Sequence, residues 1–253
     1  MDKVPAVLTI AGSDGSAGAG IQTDLLTFYD LELKSICAIT SLVTQVPQQT
    51  IAIEKRSGHH LKQELDLLAN HYDIQAIKIG LISSVEQLMV IIDFINRYKQ
   101  NYPHKPVVLD PVGTASTGFN MQDNDVDLSV LFPLCDLITP NLNEINYYLD
   151  TNIDTLDKLQ KAAKSFYLMF NCPVLVKGGH LTTKQIHDVY ADANQIYTFS
   201  NQPTQGLTQW HGTGCKLSSS ITGYLCLGYP ILKAIELAKI KLLNDYKKVI
   251  THN

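Results

Sequence analysis

The chain predicts a three-layer α/β fold, a central and mostly parallel sheet flanked by helices on both faces. Three observations carry this. Short apolar runs rich in β-branched residues alternate with amphipathic stretches along nearly the whole chain, the pattern of strands covered on both faces by intervening helices. The runs end in glycine or a polar residue. With 253 residues, 45% hydrophobic and 17% charged, the chain is long enough for one well-buried core, and no repeat or linker divides it. A single domain over residues 1–253 is therefore expected.

The elements follow in order. "AVLTIAG" (6–12) reads as a buried strand, followed by a glycine-rich loop and the helix "GIQTDLLTFYDL" (20–31). "SICAITSLVTQ" (35–45) is a second strand ending at Gln45, and "IAIEKR" (51–56) an edge strand before a helix over 61–70. "AIKIG" (76–80), "PVVLD" (106–110), "CDLITP" (135–140) and "PVLVKGG" (173–179) are further buried strands. The periodicity predicts helices near 85–98, 142–149, 155–170, 214–227 and 231–248. "HDVYAD" and "QIYTFS" (187–192 and 195–200) read as a late antiparallel hairpin.

Composition removes several classes of function. A formal net charge of −4 argues against a nucleic-acid partner. The five cysteines, Cys37, Cys135, Cys172, Cys215 and Cys226, are scattered without a C-x-x-C pair, so neither zinc nor a disulfide framework is indicated. No run of about 18 apolar residues marks a membrane span, and the N-terminal apolar run is too short for a signal peptide. A soluble, cytoplasmic protein is expected.

In open parallel sheets, ligands bind beyond the carboxyl ends of the strands. There the sequence places Gly12, Gln45, Gly80, Asp110, Asn141 and Lys177 with Gly178 and Gly179. "AGSDGSAGAG" (11–20) matches neither a dinucleotide fingerprint nor a P-loop, and a sharp strand-to-helix turn is the alternative to a ligand-binding loop. "HGTGC" (211–215) is the stronger signal. Gly212 and Gly214 clear side chains from a helix start whose outward N–H groups and dipole favour an anion. Cys215 either contributes its backbone N–H or acts as a thiolate base, since a helix N-terminus lowers a thiol pKa; the alternative is a tight-packing turn. Asn141 and Glu144, three apart at a helix start, suit magnesium or its water shell, or else a capping box with Thr139 or Asn141 as the cap. Lys177 can reach a phosphate as a point charge. Together these are the parts that phosphoryl transfer from a magnesium nucleotide requires.

"LTIAGSDGSAGAGIQTDL" (8–25), "KIGLI" (78–82), "VVLDPV" (107–112), "LITPNLNE" (137–144), "VLVKGGH" (174–180) and "HGTGCKLSSSI" (211–221) resemble the hydroxymethylpyrimidine/phosphomethylpyrimidine kinases of thiamine biosynthesis. These are ribokinase-like proteins closely similar to pyridoxal kinases. The resemblance spans about residues 6 to 240 and implies a ribokinase-like αβα fold that binds ATP and Mg²⁺. It implies phosphorylation of 4-amino-5-hydroxymethyl-2-methylpyrimidine, then of its monophosphate. It further implies an anion hole at Gly212, Thr213, Gly214 and Cys215, metal held by Asp110 and Glu144, and phosphates by Lys177, Asn141 and Thr139. The substrate is implied to meet Gln45, Asp24, Gly12 and Ala19. A homodimer is also implied.

Gln45, able both to donate and to accept, suits an aminopyrimidine edge. The sequence departs from the family pattern at Gly113 and Leu81, where methionines are usual, and at Ser116, where a lysine is. The chain also ends at Asn253, before a tail common in the family. Two alternatives follow: a pyridoxal kinase with a pyridine alcohol as substrate, and a non-catalytic pyrimidine-binding homologue.

Overall fold

We describe residues 3–115, 117–179, 185–202 and 212–251 of a computed structural model. Ser116, His180, Trp210 and His211 lie outside the described residues. The elements are β1 (Val4–Asp14), α1 (Gly20–Asp30), β2 (Ser35–Val46), β3 (Gln49–Lys55), α2 (Gly58–His71), β4 (Tyr72–Ile79), α3 (Val85–Asn101), β5 (Val107–Leu109), a 3₁₀ turn (Leu128–Leu134), β6 (Leu137–Ile138), α4 (Leu142–Leu149), α5 (Leu156–Phe170), β7 (Val174–Lys177), β8 (Ile186–Ala191), β9 (Ile196–Asn201), α6 (Thr213–Cys226) and α7 (Ile231–Thr251).

The strands form one sheet in the order β3-β2-β1-β4-β5-β6-β7-β8-β9. From β2 to β7 neighbouring strands are parallel, while β3 closes one edge and β8 with β9 the other in antiparallel pairing. The strand order reverses at β1, which lies between β2 and β4. The loop after β1 therefore opens at the switch point, where such sheets leave a crevice.

Alternation along the strands divides the core in two. Leu8, Ile10, Ile77, Ile79, Leu109, Ile138, Val174 and Val176 belong to a cluster shared with α2, α3, the 3₁₀ turn, α4 and α5. On the opposite face Val108, Leu137, Leu175 and Tyr190 pack against α6 and α7, and Val7 and Ala76 against Phe28 of α1. The predicted elements are all present, with ends shifted by a few residues. The 3₁₀ turn, which contains Pro133, was not anticipated; its Leu131 and Phe132 are fully buried. Among the described residues no helix is long and apolar enough to cross a membrane.

Phe132, Tyr148, Phe166 and Phe170 form a mutually contacting aromatic group where the 3₁₀ turn, α4 and α5 meet. Phe166 lies at its centre with no exposure. Phe166→Ala is expected to lower unfolding free energy by about 4 kcal/mol, measured by urea denaturation. A loss below about 1 kcal/mol, the range of ordinary tolerated changes, would contradict this packing.

Candidate active site

Asp110 follows β5 at its carboxyl end and is wholly buried. Its Oδ1 accepts from Lys177 Nζ at 2.7 Å and Thr139 Oγ1 at 3.3 Å, and its Oδ2 accepts from Ser218 Oγ at 3.2 Å. These donors come from the ends of β7 and β6 and from the first turns of α6, so one carboxylate ties three elements together. Burial disfavours its charge, but the ammonium groups of Lys177 and Lys78 outweigh burial and hold the carboxyl below the usual carboxylate range. Lys177 in turn keeps its proton against burial because Asp110 and Glu144 face it.

Asn141 and Glu144 form the capping box of α4. Asn141 N–H donates to Glu144 Oε2 at 2.7 Å and Glu144 N–H to Asn141 Oδ1 at 3.0 Å. Burial pushes the Glu144 carboxyl up to about 7, although the Lys177 ammonium pulls the other way. The capping alternative is thus realised without removing Glu144 from the strand-end group, since its carboxyl still faces the Lys177 ammonium.

α6 begins at Gly212, whose φ of +78° belongs to the left-handed region, and no side chain caps it. A Cβ there would lie 1.7 Å from the Gly18 carbonyl oxygen, so only glycine allows the β1–α1 loop to press on this helix start. At Gly214 a Cβ position is 3.2 Å from Lys177 Nζ and 3.8 Å from Asp110 Oδ2. The uncapped end of α6 therefore opens directly beside a lysine ammonium, the electrostatic setting for an anion.

On the other side of this turn a pocket of about 50 Å³ is lined by Gly12, Ala19, Gly20, Gln45, Lys78 and Cys215, with Val43, Leu81 and Met121 as apolar walls. Its rim is shaped by Asp14, whose Oδ2 accepts from Ala19 N–H at 2.8 Å and whose Oδ1 accepts from Ser16 N–H at 2.9 Å. Gln45 Oε1 accepts from Thr50 Oγ1 at 3.3 Å, and Thr50 meets Thr117 at 2.9 Å. The β2–β3 hairpin and the loop after β5 thereby join over the pocket. A larger groove of about 550 Å³ lies between β9 and α7, but no strand-end candidate lines it.

One expectation changes. Asp24 is not on the pocket wall: it is fully buried and accepts from Thr9 Oγ1 at 2.6 Å, Lys78 Nζ at 2.9 Å and the Ser219 hydroxyl. Of the two roles open to Cys215, its surroundings favour the backbone N–H over the thiolate, because they raise the thiol rather than lower it. Burial raises it to about 11, with Asp110 and Asp24 adding to the rise and Lys78 and the Gly20 backbone only partly opposing it. Asp110 and Glu144 both face the Lys177 ammonium at this strand edge, and two carboxylates with phosphates and water are the usual surroundings of magnesium.

The sequence reading also passed over two residues. Asp14 orders the loop after β1, and Lys78, with no exposure, faces the pocket floor. A lysine inside the apolar run "AIKIG" was the available signal for Lys78, because a cation in a doubly covered strand requires a buried anion.

An α/β sheet with a phosphate-ready helix start, a charged strand edge and an adjoining apolar-walled pocket defines a phosphotransferase of the doubly wound type. Residues 14–249 match the family model described as phosphomethylpyrimidine kinase, and the chain belongs to that family. It is 32% identical over 244 residues to the hydroxymethylpyrimidine/phosphomethylpyrimidine kinase of Staphylococcus aureus strain Mu50, covering 94% of this chain and 87% of that one. It is likewise 32% identical to the chloroplastic thiamine biosynthetic bifunctional enzyme of Arabidopsis thaliana, of whose length it spans about half (48%). The crystal structure of phosphomethylpyrimidine kinase from Clostridium difficile 630 superposes with a TM-score of 0.81 at 31% identity, over 96% of this chain and all of that one. The pyridoxal kinase of Staphylococcus aureus in complex with AMP-PCP and pyridoxal gives 0.74 at 26% identity, over 94% and 86%.

The raised Cys215 thiol has a measurable consequence. Its alkylation by iodoacetamide, followed on the Cys215 peptide by mass spectrometry, is expected to be slow at pH 7.5 and to rise about tenfold per pH unit up to pH 10, because only the thiolate reacts. A rate already level by pH 8 would contradict a neutral thiol.

Proposed function

We propose that the chain phosphorylates the hydroxymethyl group of 4-amino-5-hydroxymethyl-2-methylpyrimidine with ATP and Mg²⁺, and then converts the monophosphate to the diphosphate. The observation that carries this is the double placement of the first turn of α6. Gly214 faces Lys177 and Asp110, while Cys215 faces the pocket. A phosphoryl group at that turn touches the nucleotide side and the alcohol side together.

In this reading the N–H groups of Gly212, Thr213, Gly214 and Cys215 receive the charge that spreads over the transferring oxygens, and Lys177 supplies a fixed cation. Asp110 holds Lys177 in place and keeps it protonated. Thr139 and Asn141 line the phosphate side. Mg²⁺, held beside the strand-end carboxylates, would supply charge neutralisation for the phosphates. Glu144 and Asn141 suit its water shell better than its direct coordination, as the ion keeps several waters. The Cys215 thiol, being neutral, serves as a wall and donor beside the alcohol. A loose transition state demands little of a base.

Gln45 gives the pocket both an amide donor and an acceptor opposite apolar walls, with Gly12 and Ala19 allowing a flat ring to lie close. This favours an aminopyrimidine over a pyridine alcohol, although pyridoxal is the second reading because a structural neighbour binds it. The reading includes a homodimer in the cytoplasm.

Purified protein offered ATP, Mg²⁺ and either hydroxymethylpyrimidine or pyridoxal tests this by coupled turnover with product masses. We expect pyrimidine mono- and diphosphate. Gln45→Leu should raise the pyrimidine KM about tenfold, the worth of one lost hydrogen bond, and change kcat less. Turnover of pyridoxal alone would overturn the substrate, and absence of turnover with both would overturn the kinase reading.

A further inference from the structure

The reaction outlined above leaves the fully buried pair of Lys78 and Asp24 without a task. Lys78 and Asp24 are both wholly screened from solvent, with Lys78 Nζ 2.9 Å from Asp24 Oδ2. Four elements converge there: Thr9 from β1, Asp24 from α1, Lys78 from β4 and Ser219 from α6. A buried ion pair gives little net stability over apolar side chains of similar volume, because both charges must be desolvated. Its presence under the pocket calls for another account.

The serines of α6 supply it. Ser218 reaches Asp110 Oδ2 at 3.2 Å and Ser219 reaches Asp24. Both hydroxyls also lie within hydrogen-bond reach of the Cys215 carbonyl, at 3.0 and 2.7 Å. Consecutive side chains on the first turns of α6 are thus anchored to two different buried carboxylates, each neutralised by a lysine from a separate strand. The Lys78 ammonium also lies 2.9 Å from where a Gly80 Cβ would be and lines the pocket with Cys215. The pair therefore sits immediately beneath the helix start that faces the alcohol.

We propose that the Lys78–Asp24 pair is a positioning device. Through Ser219 it fixes the first turn of α6, and so the Gly212–Cys215 N–H groups, at the height and angle that phosphoryl transfer uses. This rests on the kinase reading for its catalytic consequence but not for its structural one. Lys78 is a positioning residue: it acts through Asp24, Ser219 and the Cys215 carbonyl.

Two variants test it. Lys78→Met with Asp24→Leu removes both charges together, so neither is left buried and unpaired, and Ser219→Ala cuts only the link to α6. Hydrogen exchange of the peptide spanning residues 213–219 is expected to quicken at least about tenfold in both. The melting temperature should stay within about 4 °C of the parent. With hydroxymethylpyrimidine, kcat should fall about thirtyfold or more, part of what loss of an anion-hole donor costs, while the KM for Mg-ATP stays within about threefold. Unchanged exchange and an unchanged kcat in the double variant would overturn the proposal. So would exchange that quickens equally across the whole chain, because the pair would then serve only the core. A parent inactive on both alcohols would overturn the kinase reading instead, and the exchange comparison would still decide whether the pair holds α6.

Discussion

The geometry of the strand edge depends on a carboxylate with no access to water. Asp110 is expensive to bury as an anion, and it is tolerable because Lys177 donates to it at 2.7 Å while Thr139 and Ser218 satisfy its remaining acceptor sites. That requirement dictates position. Lys177 must leave β7 beside the end of β5, Thr139 must follow β6, and α6 must bring Ser218 down to the same point. Removing one partner from such a group is strongly unfavourable, which makes the arrangement specific even where its net stability is small.

A second carboxylate repeats the solution one strand over, with Lys78 and Ser219 around Asp24. The first turn of α6 lies across both. Its glycines keep it open, its dipole and N–H groups face outward, and its serines hold it down. The cost is visible in the neighbouring groups. Glu144 and Cys215 are both pushed up by burial, the usual consequence of placing ionisable groups out of reach of water. The same exclusion would strengthen every charge acting on an anion held there.

Much of this was legible in the sequence, for a physical reason. Strands covered on both faces must be continuous apolar runs, so "AVLTIAG", "PVVLD" and "PVLVKGG" declare themselves, and whatever ends such a run faces the crevice. Asp110, Asn141, Lys177 and Gln45 were found that way, and Gly212 and Gly214 by their place before an amphipathic helix. What stayed hidden depends on partners distant in sequence. Whether Asp24 meets a ligand or a lysine depends on Lys78, 54 residues away, and on Ser219, 195 residues away. The thiolate role left open for Cys215 considered its own helix, and neither its burial nor the two carboxylates that α6 brings near it. Leu81 and Gly113 replace methionines of the family pattern, and Leu81 packs with Val43 and Met121 as the pocket wall. At Gly113 a Cβ would meet Gln122 Oε1 at 2.4 Å.

The most direct test is a crystal structure of the protein with Mg²⁺, AMP-PCP and the pyrimidine alcohol bound together. The account predicts the terminal phosphoryl group against the N–H groups of Gly212–Cys215, within reach of Lys177, with the hydroxymethyl oxygen facing it from the pocket lined by Gln45 and Cys215. Phosphates lying in the groove between β9 and α7, or an alcohol bound away from Gln45, would contradict it.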